Sequence, residues 1–192
     1  MQVASIHPPS EDWFEVVFVC TGNQARSPLA EALLRERAIG LPVKVTSYGT
    51  ENVPPARALR NAVLVGAALG VDLRVHRSRA LGGAELSEAG LVIGFEAFHV
   101  AAAVVEAGAA RERTFLLREF ADLLDETAQD GLSRIAPAAR VEALHRLRLG
   151  RPRHSSLSLP DPAGRRLRVF QAVAAEIDGF TRRLAIDLFG AF

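Results

Sequence analysis

The stretch FEVVFVCTGNQARSPLAEALL, residues 14–34, decides the fold. Its start, residues 14–19, is a mainly apolar run that predicts a buried strand ending at Cys20. Residues 27–34 predict a helix with a proline in its first turn. A loop of five residues therefore separates Cys20 from Arg26. Because unpaired N–H groups and the helix dipole favour an anion at a helix N-terminus, a phosphate group fits this loop.

Cys20 is the single cysteine of the chain and the candidate nucleophile. An electropositive loop favours the reactive thiolate form of a cysteine. Arg26 can offer its planar guanidinium to two phosphoryl oxygens, and Ser27 can donate its hydroxyl to the sulfur. A free cysteine at a strand end is more often an inert core residue. The ordered succession of strand, cysteine, arginine, serine and helix favours the catalytic interpretation.

Residues 19–31, VCTGNQARSPLAE, resemble the phosphate-binding loop of the low-molecular-weight protein tyrosine phosphatases. Similar matches follow in family order: SYGT at 47–50, HRSR at 76–79 and an Asp-Pro pair at 161–162. The resemblance extends over most of residues 14–189. It implies an α/β fold of three layers, α/β/α, around a central, mostly four-stranded parallel sheet with the phosphate loop after the first strand.

The resemblance also implies a site and a mechanism. Cys20 attacks phosphorus, Arg26 clamps the phosphoryl oxygens, Ser27 stabilises the leaving thiolate, and Asp161 is the general acid in a turn-rich segment. A cysteinyl-phosphate is the intermediate. The backbone amides of the loop hold the phosphoryl oxygens, and they belong to Thr21, Gly22, Asn23, Gln24 and Ala25. A hydrogen-bond network that keeps the loop in shape is implied for Asn23, Ser27, Ser47 and His76.

The rest of the chain predicts alternating strands and helices. Strands are expected at 43–48, 91–95 and 113–117, and helices at 56–69, 96–106 and 167–189. Short apolar strands separated by helices indicate a parallel sheet that is buried on both faces. The phosphate loop then lies at the carboxyl edge of the sheet, where open α/β sheets bind ligands.

Composition sets limits that agree with this fold. The chain has 192 residues, 49% of them hydrophobic, and a formal net charge of +1. We expect an N-terminal extension at 1–13 and one domain at 14–192 with an insertion around 121–158. No run is long enough to span a membrane and no signal peptide is recognisable, so a cytoplasmic location is predicted.

Several partners are not expected. No Cys/His cluster has metal-ligand spacing, and neither a metal nor another cofactor is predicted. No basic stripe interleaved with aromatics indicates nucleic acid. The expected ligands are a phosphorylated protein or a small phosphoester, and phosphate or another oxyanion. The insertion contains a possible helix at 135–149 with four basic residues, which either recruits an acidic partner or is simply a solvated face; these are Arg140, His145, Arg146 and Arg148.

Departures from the family leave alternatives open. Ala25 stands where many members have a second cysteine, so no disulfide can protect an oxidised Cys20. Gln24 matches neither the apolar residue of tyrosine phosphatases nor the threonine of arginine phosphatases. The segments 52–53 and 163–164 lack the aromatics that usually surround phosphotyrosine. A phosphatase acting on phosphotyrosine in proteins is favoured; arsenate reduction with an external thiol and non-catalytic phosphate binding are the alternatives.

Overall fold

A four-stranded parallel sheet forms the centre of the protein. The computed structural model describes residues 13–51, 55–127, 135–151 and 157–190. The strands lie in the order β2-β1-β3-β4, and all neighbours are parallel; they are β1 (Phe14–Cys20), β2 (Val43–Gly49), β3 (Leu91–Gly94) and β4 (Thr114–Leu116). The predicted sheet is confirmed, with strand ends within one residue of expectation.

Helices cover both faces of this sheet. Side chains alternate along β1, so that Phe18 and Cys20 join a core with α1 and α6, whereas Val17 and Val19 pack on the opposite face with α3. The three predicted layers are therefore present. The helices are α1 (Arg26–Arg37), α2 (Arg60–Ala68), α3 (Ala97–Ala107), α4 (Leu117–Thr127), α5 (Pro137–Leu149) and α6 (Leu167–Arg183), which continues as a π-helical segment, Leu184–Leu188.

The helix expected at 56–69 begins four residues late, at Arg60. The backbone before it is held extended by partners outside the helix. The N–H of Ala56 donates to the Ser78 hydroxyl, and the N–H of Leu59 donates to the carbonyl of Gln24 in the phosphate loop, both within 2.9 Å. These bonds tie the segment to the site and prevent an earlier helical turn.

Helix α4 is an element that the sequence analysis did not predict; it begins directly after β4 and extends into the expected insertion. Its buried residues recur at helical spacing and include Leu117, Phe120 and Leu124. That period of three to four residues is the signal by which the helix could have been found. None of the helices among the described residues has the length and apolar character needed to cross a membrane.

The prediction that helix α5 carries a basic surface is wrong for two of its four basic residues. Arg140 and Arg148 are buried and donate to backbone carbonyls, Arg140 to that of Asp187 and Arg148 to that of Thr114. Burial lowers the pKa of Arg148 to about 10. The exposed Arg146 pairs with Glu142 on the same helix. Arg140 and Arg148 therefore act mainly as hydrogen-bond donors that hold the backbone of neighbouring elements.

The expected domain division stays a prediction. Residues 1–12 of the extension lie outside the described residues, as do 128–134 and 152–156 of the insertion.

Candidate functional site

The phosphate loop runs from the end of β1 to the first turn of α1. Asn23 adopts a left-handed backbone with φ of 49°, a conformation that asparagine tolerates better than most residues. The loop lies directly against the end of β2. A Cβ on Gly49 would be 2.8 Å from the carbonyl oxygen of Thr21 and 2.9 Å from the nitrogen of Asn23. Only glycine allows this approach of the two backbones.

Cys20 lies at the base of the loop, 3% exposed. Its Sγ is 2.9 Å from the hydroxyl oxygen of Ser27. That oxygen already accepts a hydrogen bond of 2.8 Å from Asn23 Nδ2. The single hydroxyl proton of Ser27 is therefore available to the sulfur, since its other contact, the carbonyl of Tyr48, is longer at 3.4 Å. This arrangement suits a sulfur that carries negative charge.

A buried network holds the loop in this shape. Asn23 donates through Nδ2 to Ser27 and to Ser47, and its Oδ1 accepts the N–H of Arg79. The Ser47 hydroxyl donates a hydrogen bond to the carboxylate of Glu31, which also pairs with Arg79 at 2.8 Å. Every polar group of the Asn23 side chain thus has a partner. The structure brings Asn23, Ser27 and Ser47 together.

His76 supports the same loop from outside. Its Nε2 lies 2.8 Å from the carbonyl oxygen of Asn23, and because a carbonyl only accepts, Nε2 is the donor. Burial lowers the pKa of His76 and favours the neutral ring. The three other residues expected in the network, Ser27, Ser47 and His76, therefore all contact Asn23. Glu31 and Arg79 were not expected; they complete the network from α1 and the segment after α2.

Arg26 is buried, 1% exposed, and its two terminal nitrogens have different partners. Nη1 is anchored by Glu96 at 2.6 Å and by the carbonyl of Leu159 at 2.8 Å. Nη2 faces the loop, where it donates to Asp161 at 2.7 Å and to the hydroxyl of Thr21 at 3.2 Å. Among the described residues, none accepts a hydrogen bond from Arg26 Nε. Glu96 and Leu159 thus fix the Nη1 side of the guanidinium, while on the other edge Nη2 bonds to Asp161 and Thr21 and Nε has no acceptor among the described residues.

Asp161 reaches Arg26 from the segment that precedes α6. The N–H of Leu159 donates to the carbonyl of Phe95 at 2.7 Å, which ties this segment to the end of β3. The carboxyl of Asp161 accepts the N–H of Ala163 through Oδ1 and contacts Arg26 through Oδ2. Its side chain is 37% exposed. Asp161 and Arg26, separated by 135 residues, are therefore in direct contact.

Sequence reasoning missed Glu96 and His99. Glu96 lies two residues after the end of β3, and its backbone N–H donates to His99 Nδ1 at 2.9 Å, an arrangement that caps α3. Burial, with a smaller contribution from the charge of Arg26, lowers the pKa of His99 to about 3. The other nitrogen of His99 is 3.0 Å from the Thr21 hydroxyl. A glutamate followed three residues later by histidine, at the carboxyl end of a strand, was the available signal.

The expected aromatic positions are only partly described. Residues 52–53 lie outside the described residues, and 163–164 form a turn without an aromatic. Phe98 of α3 is 48% exposed, and its ring contacts that of His99, with centroids 4.0 Å apart and planes tilted by 48°. Two clefts lie elsewhere on the surface, one near Trp13 and one between α3, α4 and α5. No residue of the phosphate loop lines either of them.

Known proteins with similar sequences and folds include phosphatases. The family model described as low molecular weight phosphotyrosine protein phosphatase matches residues 15–130. The low molecular weight protein-tyrosine-phosphatase Etp of Escherichia coli (strain K12) is 35% identical over 105 residues, covering 55% of this chain and 70% of that protein. A protein-arginine-phosphatase of Geobacillus stearothermophilus is 32% identical over 133 residues, covering 67% and 88%.

The structure is also similar to that of a known phosphatase. The solved structure of the YwlE arginine phosphatase from Geobacillus stearothermophilus has a TM-score of 0.68 to this chain at 26% identity, covering 92% of this chain and 93% of that one.

Proposed function

We propose that this chain, which belongs to the low-molecular-weight phosphotyrosine protein phosphatase family and is a phosphoric monoester hydrolase, uses Cys20 as its phosphoryl acceptor. The observation that carries the proposal is the loop-facing edge of Arg26. Nη2 lies on this edge, and Nε finds no acceptor among the described residues although the side chain is 1% exposed. A buried donor without a partner is costly, so this edge favours an oxyanion bound in the loop.

The reaction proceeds in two phosphoryl transfers. The Cys20 thiolate attacks phosphorus in line, the bond from phosphorus to the leaving oxygen breaks, and Asp161 protonates that oxygen. Loop amides and Arg26 stabilise the charge on the other three oxygens. Asp161 then accepts a proton from the water that attacks the cysteinyl-phosphate, and Ser27 donates to the departing thiolate. The substrate must displace the Asp161 carboxyl from Arg26 Nη2. The displaced carboxyl can then reach the leaving group.

Phosphotyrosine in proteins is the substrate that we favour. Phe98 supports it, because its exposed ring contacts the ring of His99, and His99 in turn contacts the phosphate loop at Thr21. An aromatic pair adds about 0.5–1.5 kcal/mol beyond burial of area, or roughly two- to tenfold in affinity. Phe98 can thus replace some of the aromatic contact that other members supply from other segments.

Phosphoarginine is the second candidate, favoured by Glu51. A Cβ on Gly22 would lie 3.6 Å from Gln24 Nε2 and 3.7 Å from Glu51 Oε2, so both side chains approach the loop backbone. An exposed carboxylate at this position suits a cationic substrate such as a guanidinium. The similarity to protein-arginine-phosphatases agrees with this candidate.

Turnover of a small aryl phosphate in the presence of a chelator tests the proposal. Cys20→Ser should abolish turnover and retain binding of inorganic phosphate, and rapid acid quench of the wild type should trap phosphate on Cys20. Turnover that survives Cys20→Ser would refute covalent catalysis. Release of arsenite from arsenate with an external thiol, or oxyanion binding without any turnover, would instead identify one of the two alternatives.

Matched variants separate the two substrates. Phe98→Ala should raise KM for a phosphotyrosine peptide about two- to tenfold, while Val105→Ala, an exposed position on the same helix, should not. Glu51→Gln should lower kcat/KM for a phosphoarginine peptide if that is the substrate.

A cytoplasmic location remains a prediction.

A further inference from the structure

The hydroxyl of Thr21 lies between two donors. Arg26 Nη2 is 3.2 Å from Thr21 Oγ1, and His99 Nε2 is 3.0 Å from the same oxygen. Sequence reasoning assigned Thr21 only a backbone amide. What the side chain does depends on which of its neighbours donate.

The tautomer of His99 follows from its other nitrogen. Nδ1 accepts the backbone N–H of Glu96 at 2.9 Å and therefore carries no proton. His99 is fully buried, and burial lowers its pKa to about 3, so the ring is neutral at ordinary pH. A neutral imidazole holds one proton, which must be on Nε2. His99 thus donates to Thr21.

A threonine hydroxyl can accept two hydrogen bonds and donate one. Arg26 and His99 together use both acceptor positions of Thr21, because neither of them can accept a proton from it. None of the described residues accepts the Thr21 proton. Because the oxygen lies 3.2 Å from Arg26 Nη2, an oxyanion that binds this nitrogen would be close enough to accept the remaining proton.

We propose that the Thr21 hydroxyl is a further donor to a phosphoryl oxygen held in the loop, and that His99 is a positioning residue that fixes the direction of this donor. The inference rests on the proposed function, since it assigns a contact within that site. The hydrogen bond from His99 occupies one acceptor position of the Thr21 oxygen, as that from Arg26 occupies the other. Without His99 the hydroxyl could rotate. The imidazole is suited to this because burial keeps the ring neutral, and the Glu96 N–H on Nδ1 leaves its single proton on Nε2.

Four variants test the proposal. Thr21→Val removes the hydroxyl and keeps the shape, and Thr21→Ser restores the hydroxyl. His99→Asn can keep an acceptor for the Glu96 N–H but loses the donor at Nε2, whereas His99→Gln can place an amide N–H near the Nε2 position. We expect Thr21→Val to reduce kcat/KM about tenfold to a hundredfold. Thr21→Ser and His99→Gln should recover most of it, and His99→Asn should not.

The double variant decides whether His99 acts through Thr21. If it does, His99→Asn should slow the Thr21→Val enzyme little further; a structural role would give losses that multiply. Equal losses in the two backgrounds would overturn the positioning role. A kcat/KM of Thr21→Val within twofold of wild type would overturn the donor role. Thermal unfolding identifies a variant that fails to fold, in which case Thr21→Ala replaces Thr21→Val.

Binding of tungstate, measured by calorimetry, keeps this test separate from the proposed function. If the wild type shows no turnover, the catalytic proposal fails, but the affinity for this oxyanion still reports on the hydroxyl. Thr21→Val should weaken tungstate binding at least about fivefold, and Thr21→Ser should restore it. Unchanged affinity in Thr21→Val would refute the contact.

Discussion

Replacing Asp161 by asparagine should make the protein bind oxyanions more tightly while it catalyses more slowly. In the structure the Asp161 carboxylate holds Arg26 Nη2 at 2.7 Å, the same donor that an oxyanion needs. Asparagine has nearly the same shape and can still accept the N–H of Ala163, but it carries no charge. The substitution therefore removes a competitor for Arg26 without removing the turn.

The size of the effect follows from the charge and its exposure. A unit charge about 5 Å from a bound anion contributes about 3 kcal/mol at an effective dielectric constant of about 20. Asp161 is 37% exposed, so solvent and salt reduce this contribution. We expect a gain of about 1–2 kcal/mol, or roughly 5- to 30-fold in the dissociation constant of tungstate. The gain should shrink as salt is added.

Glu96→Gln is the matched control in the calorimetric titration. Glu96 is the second carboxylate on Arg26, but it holds Nη1, which the Leu159 carbonyl also holds. Both variants remove one negative charge, and only Asp161→Asn frees the loop-facing nitrogen. If Asp161→Asn tightened tungstate binding no more than Glu96→Gln does, direct competition for Nη2 would be refuted.

The kinetic half of the prediction concerns the leaving group. A general acid contributes about 10²- to 10⁴-fold where the leaving oxygen needs a proton. Asp161→Asn should therefore slow phenyl phosphate far more than a nitro-activated ester. Equal slowing of both esters would argue against protonation by Asp161.

Three further predictions concern stability. The folded pKa of His99, about 3, lies below its ordinary value of 6.5, so the unfolded chain binds a proton that the folded chain does not. Denaturant unfolding should therefore show a loss of stability between pH 7.5 and pH 5 that is about 2 kcal/mol larger in the wild type than in His99→Asn. Gly49→Ala should lower Tm and kcat/KM together, because its Cβ would press on loop backbone; an unchanged Tm would contradict this. Asn23→Ala should cost at least about 2 kcal/mol in urea unfolding, since buried Ser27 and Ser47 lose a donor.

The local parts of the site could be predicted from the sequence. The strand, the loop and the helix that begins near Arg26 are consecutive, and their order alone indicates an anion site with Cys20 at its base. The alternation of apolar strands and helices likewise predicted the parallel sheet. Helix α4 also has a signal in the sequence, because its apolar residues recur at helical spacing.

Only the tertiary structure decided which distant side chains meet at the loop. Arg26 contacts Glu96 and Asp161, which lie 70 and 135 residues away in the chain. His99 reaches Thr21 across 78 residues, and the backbone before α2 remains extended because it bonds to the loop. The physical reason is that the carboxyl ends of parallel strands share one edge of the sheet, so loops from separate parts of the chain converge there. Spacing in the sequence does not determine which nitrogen of an arginine each loop will bind.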